Sequence, residues 1–370
     1  MVKKFILKFS EEEKSEDNIE QLLESNKKIH DVLTNHKNQI TEYYQNKTWD
    51  KFKKLSNEYE LIFTTPNTGY NISKYVPVSR SFFKLWEILN DFHDEIFIEN
   101  NMRCMFLAEG PGAFAESFLK YRSKYKDECY GMTLKSNNNK NIPDWRIDNI
   151  NITYGADGTG NLYNLDNILY LVKNVGANSL DFITADGGFD FSLDFNNQEN
   201  QSFRLLLSEI LAAICLQKKD GKFILKIFDI FNKETIKMLH LLKEYYKNIY
   251  IIKPCTSRPC NSEKYLLCTG FNISKKNEKL KNFLIHTIKD FNNDNIQKLL
   301  DNISYVPYIL NQIVLYNTYY SLRQIYYIER TIGYINKYKN NFYNDQVKQI
   351  LDKHRIKSIK WCKKYGLEYN

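Results

Sequence analysis

Between residues 103 and 271 apolar positions come in short continuous runs, separated by longer stretches in which they recur every three or four residues. The first pattern is that of a strand buried on both faces, the second that of a helix packed on one side. Strands are predicted at 103–108, 128–133, 150–154, 180–185, 222–228, 248–253 and 264–271, and helices at 113–125, 163–175, 200–219 and 232–247. Such alternation predicts an α/β fold with a doubly wound, mostly parallel sheet. The last strands lie close together in the chain, which predicts an antiparallel pair closing one edge.

The flanks have a different texture. A short strand is predicted at 3–9 and a charged helical stretch from Glu11 to about Lys54, with apolar Ile19, Leu22, Leu23, Ile29, Val32 and Leu33. Residues 64–69 form a turn cluster. A helix starts near Ser79, with Phe82, Phe83, Trp86 and Leu89 on its apolar face; Lys84 lies off that stripe and locally reads as solvated. Beyond Phe271 a charged, linker-like stretch precedes helices predicted at 279–299 and 308–366. The organisation read from this is an N-terminal helical or lid region (1–70), a central domain (71–272) and a C-terminal helical extension (273–370).

Composition narrows the class only slightly. With 43% hydrophobic and 26% charged residues, 370 residues can build a sizeable core. The net charge of +8 leans towards an anionic partner, and 27 tyrosines suit base stacking as well as packing. Seven scattered cysteines with no Cys-x-x-Cys pair read as reduced, intracellular thiols. No apolar run reaches membrane-spanning length, and the N-terminus lacks a signal-peptide pattern, so an intracellular, non-secreted protein without membrane contact is expected, cytoplasmic first, with nuclear or viral-particle association as the alternatives. No metal-ligand spacing occurs among the histidines and cysteines, and no metal is expected. Six Lys/Arg in 351–370 read as the solvated face of an amphipathic helix.

Three stretches carry candidate chemistry. Phe106–Phe114 is a strand that breaks into Glu109-Gly110-Pro111-Gly112 and opens a helix at Ala113-Phe114. Such a turn lets a ligand approach the backbone beside free N–H groups. It could hold a dinucleotide, a phosphate or the amino-acid part of S-adenosyl-L-methionine. The absence of G-x-G-x-x-G spacing and the acidic Glu109 favour a cationic ligand. A side chain at Gly112 is expected to fill space that the ligand needs. The second stretch, Asp181–Phe189, ends on Asp186-Gly187-Gly188. The third, Gly221–Asp229, has Lys226 inside an apolar strand, where an amine needs a partner or must be neutral. All three place polar groups near strand C-termini, where open α/β sheets bind ligands.

The segment from Lys253 to Cys268, with Lys-Pro, Ser-Arg-Pro and Asn-Ser-Glu-x-Tyr in order, resembles that of the FtsJ-like mRNA cap-specific 2′-O-ribose methyltransferases. The Glu-Gly-Pro-Gly-x-Phe loop at 109–114, Gly-Met-Thr-Leu-Lys at 131–135, Ala-Asp-Gly-Gly-Phe at 185–189 and Lys-x-Phe-Asp at 226–229 add to the resemblance, which covers 75–271. It implies a Rossmann-like sheet, S-adenosyl-L-methionine as cofactor and capped RNA as substrate, with other capping or transcription proteins as further partners. By motif position the implied catalytic residues are Lys84, Asp186, Lys226 and Glu263. Implied cofactor contacts are Ser79, Glu109, Gly110, Pro111, Gly112, Ala113, Phe114, Asn161 and Leu162; Asn261 and Asn196 are implied at the substrate. Ser79 stands where the family has Asn and Asn161 where it has Asp. Lysine serves as a base only when neutral, and burial beside Lys84 is expected to lower the pKa of Lys226 against the opposing pull of Asp186 and Glu263. The rival readings are an rRNA or tRNA methyltransferase on the same fold and a silent RNA- or partner-binding subunit.

Overall fold

The computed structural model describes residues 4–7, 18–45, 48–64, 71–97, 100–137, 139, 142–188 and 196–370. Its strands are β1 (Lys4–Leu7), β2 (Arg103–Leu107), β3 (Glu128–Met132), β4 (Asn151–Thr153), β5 (Leu180–Ala185), β6 (Gln217–Ile227), β7 (Tyr246–Ile252) and β8 (Lys264–Phe271). They form one sheet in the order β1-β7-β8-β6-β5-β2-β3-β4. The run from β6 to β4 is parallel, as the apolar runs predicted. β8 is antiparallel to both β6 and β7. The expected pair does not close the edge, because β1 adds antiparallel to β7 beyond it.

Side chains alternate across the sheet. Met105, Leu107, Ile183, Phe223 and Leu225 face α7 (Leu165–Val175), α8 (Gln198–Leu216) and α9 (Lys233–Tyr245), the helices of the larger core. Cys104, Phe106, Phe182, Ile224 and Tyr265 face the opposite layer, with α4 (Ser81–Asp91), the short α5 (His93–Ile96) and α6 (Ala113–Tyr121). Lys226 has the parity of Ile224, so its amine emerges on the α4 side at the C-terminal end of β6.

The N-terminal helical stretch is described from Ile19 onward, as α1 (Ile19–Asn38), α2 (Ile40–Gln45) and α3 (Thr48–Ser56). Most of the predicted turn cluster, residues 65–69, lies outside the described residues, as does Phe189. The linker-like stretch after Phe271 is helical: Ser274 caps α10 (Lys275–Lys289), and Leu280, Leu284 and Ile288 give it a buried face. A second cap at Asn292 starts α11 (Asn293–Asp301). The stretch predicted as one helix at 308–366 divides into α12 (Pro307–Tyr338) and α13 (Asp345–Lys364), because Asn344 caps α13 by accepting from the Val347 amide at 2.9 Å.

The flanking helices are bolted to the sheet by buried polar contacts. Asp229, just past β6, takes Lys37 of α1 at 2.6 Å and Lys264 of β8 at 2.9 Å. Asn317 of α12 donates to the carbonyl of Ile230 at 2.6 Å and to Asn26 of α1 at 2.8 Å. α13 is more than a solvated amphipathic helix. Its Trp361 and Cys362 are buried, and the Trp361 indole donates to Glu87 on α4 at 3.2 Å. Among the described residues no helix is long and apolar enough to cross a membrane.

Candidate active site

The chemistry-bearing residues meet at the C-terminal edge of β2, β5 and β6. Lys84, projecting from α4, donates to Glu263 at 2.8 Å, and the other oxygen of Glu263 accepts from the Ser257 hydroxyl at 2.9 Å. Lys226 lies 3.2 Å from the Asp186 carboxylate and donates to the Asp186 carbonyl at 2.7 Å. The buried Tyr265 hydroxyl donates to the same carboxylate at 3.1 Å. Tyr265 is the register partner of Lys226 on β8, so adjacent strands deliver the amine and the hydroxyl together. Two lysines and two carboxylates, four residues far apart in sequence, thus form two neighbouring pairs.

The glycines of the Asp-Gly-Gly turn make room for this. A Cβ on Gly188 would stand 2.9 Å from the Lys226 amine, and one on Gly187 would overlap a Glu209 oxygen. Electrostatics follow from the pairing. Burial alone would raise the Glu263 carboxyl; Lys84, then Lys226 and Lys253, outweigh it and hold it down to about 2. For Lys226, burial favours the neutral amine, but Asp186, Glu263 and Glu209 prevail and its pKa is raised. The lowering expected from burial beside Lys84 does not occur, because more carboxylate than ammonium surrounds the amine.

A cavity of about 420 Å³ opens beside the pairs. It is lined by Gly110 of the glycine turn, Thr133 and Leu134 after β3, Gly160, Asn161 and Leu162, Gly187 and Gly188, and by Ser81, Lys84, Asp186 and Lys226. Gly160, at φ 72°, lies too close to the Thr133 carbonyl for any side chain. Glu109 does not line the cavity. Its carboxyl turns inward, accepting from the Phe114 amide at 2.9 Å and the Thr184 hydroxyl at 3.1 Å, and burial pushes its pKa well up. Pro111, Gly112, Ala113 and Phe114 form the turn and helix start behind the wall. Ser79 is bonded to Ser81 at 2.6 Å, and Ser81 is the one that lines the cavity. Asn261 faces a separate cleft of about 100 Å³, with Lys37, Trp49, Lys53 and Gln198. Asn196 is exposed, bonded to Asn38 at 2.7 Å.

Several supports have no local signal in the sequence. Lys253 donates to the carbonyls of Asn261 and Glu263 at 2.7 and 2.6 Å, stapling the loop that carries both; burial lowers its pKa to about 7. Arg258 of the Ser-Arg-Pro run meets buried Glu60 with two bonds, at 3.0 and 2.7 Å. Burial would raise the Glu60 carboxyl, but Arg80 and Arg258 hold it down to about 2. A depressed pKa stabilises the fold fully above about 4.5, and that contribution is lost as pH falls through about 2. Glu60→Gln is expected to lower stability at neutral pH by on the order of 3 kcal/mol and to flatten the acid limb, measured by urea unfolding across pH.

An FtsJ-like methyltransferase family model matches residues 77–271, which contain all four paired residues. The chain belongs to the FtsJ-like methyltransferase family. Among curated relatives, cap-specific mRNA (nucleoside-2′-O-)-methyltransferase 1 of Trypanosoma cruzi is 38% identical over 169 residues, covering 44% of this chain and 46% of the relative. The Trypanosoma brucei protein of the same name is 35% identical over 197 residues, covering 52% and 53%. The chain thus spans about half the length of these relatives. An inactive cap-specific mRNA (nucleoside-2′-O-)-methyltransferase 1B of Caenorhabditis briggsae is 26% identical over 322 residues, covering 82% of this chain and 37% of that one. Glu60, Lys37 and Trp361 lie outside the FtsJ-like match, so the flanking segments meet the matched span through these side chains.

Proposed function

We propose that the chain is an S-adenosyl-L-methionine-dependent methyltransferase acting on the ribose 2′-oxygen of the first nucleotide of capped mRNA. The observation that carries this reading is the pairing of Lys84 with Glu263 and Lys226 with Asp186 at one cavity edge. The names of the trypanosome relatives supply the capped substrate. The proposed domain is 71–272, with the described residues of the 1–70 and 273–370 extensions packed against it; reduced cysteines fit an intracellular site.

The cavity fits the cofactor in size, in glycine-lined backbone at Gly110, Gly160 and Gly187, and in the anionic Asp186 at its edge. The holding residues would be Gly110, Thr133, Leu134, Asn161 and Leu162, with the Glu109–Phe114 turn behind them. When bound, S-adenosyl-L-methionine supplies a methyl group on a cationic sulfur. Lys226 takes the 2′-hydroxyl proton as that oxygen attacks, and Asp186 and Tyr265 fix the amine's position. Lys84 and Glu263 would orient the ribose. With its pKa raised, Lys226 starts protonated. A cationic ligand and exclusion of water by RNA both favour its neutral form.

Gly112→Val is expected to abolish cofactor binding in calorimetry. The reason differs from simple filling of ligand space. Gly112 has φ 101°, and a Cβ there would press on Ile147 at 2.7 Å and Trp145 at 3.1 Å, deforming the turn. Wild-type affinity would show that the turn does not shape the site.

The substrate is tested by incubating the chain with labelled cofactor and RNAs bearing an N7-methylated cap, an unmethylated guanosine cap or a bare triphosphate. Label is expected in the capped RNAs. Equal labelling of the triphosphate RNA would favour the rRNA-type reading, and no labelling of any RNA would favour a silent subunit.

A further inference from the structure

Helix α8 carries an acid that the mechanism above does not use. Glu209 lies within the apolar run LLLSEILAAICL and is 1% exposed. One turn earlier, Leu205 lines the cavity, so the Leu205–Glu209 face of α8 looks towards the site. A Glu209 oxygen packs directly beneath Gly187, between Asp186 and Gly188. That oxygen is fully buried and makes no well-formed hydrogen bond; the Gly187 amide is the polar group that lies against the carboxyl. An ionised carboxylate left in this state is strongly disfavoured, whereas a neutral acid is tolerated.

We propose that Glu209 is a positioning residue of the methyl-transfer site: a carboxylic acid that works in its neutral form, supports the Asp186–Gly188 turn and leaves Lys226 free to shed its proton, and that brakes the site when it ionises. This rests on Lys226 being the proton acceptor.

The charges around Glu209 agree. Lys226 approaches from β6 and Asp186 from the end of β5; Tyr163 lies on the facing loop, and Arg204 on α8 itself stands over the Tyr163 ring at 4.5 Å. Burial pushes the Glu209 carboxyl up to about 8 with Asp186 adding to the rise, against the smaller downward pull of Lys226 and of the Gly187 amide. At neutral pH the carboxyl is therefore mostly uncharged, and Lys226 has Asp186 and Glu263 as its anionic neighbours. Above about 8 a third anion appears beneath the turn and holds the ammonium more tightly. The alkaline rise of the reaction is then flatter than Lys226 alone would give.

The test compares wild type with Glu209→Gln, which keeps the shape and stays neutral. Two readouts are taken: ¹⁵N NMR titration of the Lys226 amine in cofactor-free protein, and turnover on capped RNA from pH 7 to pH 9.5. The variant is expected to match wild type within about twofold at pH 7 and to exceed it several-fold at pH 9, with the Lys226 titration moved to lower pH. An unmoved Lys226 titration overturns the proposal, as does a loss of turnover equal at every pH, the mark of a packing role alone. A moved titration with no alkaline rise in either protein would support the charge coupling and retire Lys226 as the base. If the variant does not fold, ¹³C-carboxyl NMR of wild type decides: a Glu209 carboxyl ionised at pH 6 overturns the proposal.

Discussion

Lys226→Met is expected to reduce methyl transfer by about 10²–10⁴-fold, the usual contribution of a positioned general base. Fold and cofactor binding should be retained, because Ile224, Leu225 and Ile227 around it are buried and apolar, and methionine fills the same stem. Lys226→Arg should be nearly as inactive, because a guanidinium stays protonated. In wild type the Lys226 pKa is raised, so the proton-accepting form grows as pH increases and turnover should climb on the alkaline side. Single-turnover rates across pH check this; a pH-independent rate, or substantial turnover by Lys226→Arg, would remove Lys226 from proton transfer.

Gly188→Ala is expected to cost about 10²-fold in turnover with little change in cofactor affinity. The added methyl would sit 2.9 Å from the Lys226 amine, in a place that only movement of the amine can vacate. A displacement of this size separates Lys226 from the Asp186 carbonyl, now 2.7 Å away, and from the attacking hydroxyl. The backbone of Gly188 needs no unusual φ, so the effect should appear in turnover rather than in folding. Comparing turnover and thermal unfolding of the variant separates the two; an active Gly188→Ala would mean that the amine does not work from its observed position.

The sheet was legible because strands covered on both faces read as unbroken apolar runs, and β2, β3, β5, β6, β7 and β8 fall within a few residues of the predicted spans. Lys226 was legible for the same reason, being the lone amine in such a run. Lys84 was not, since helical spacing describes only its own helix, whereas its partner Glu263 is 179 residues away. The resemblance, not the periodicity, singled it out. The direction of the Lys226 shift was missed because it depends on how many carboxylates converge, and Glu209 was left out of that count. Its signal was present: an acid inside the apolar run of α8 is as unusual as the lysine inside β6. Glu60 with Arg258, and Trp361 with Glu87, are long-range pairs between flanking segments and the central domain, for which no local pattern exists.

The role proposed for this cluster is to place a methyl group on the first ribose of capped RNA. It is tested by mass spectrometry of nucleosides released from N7-methyl-capped RNA after reaction with the intact chain and S-adenosyl-L-methionine. The account predicts one added methyl on the 2′-oxygen of the first transcribed nucleotide, absent when Lys226→Met replaces the wild type. A methyl on a base, on an internal ribose, or undiminished in Lys226→Met would contradict it.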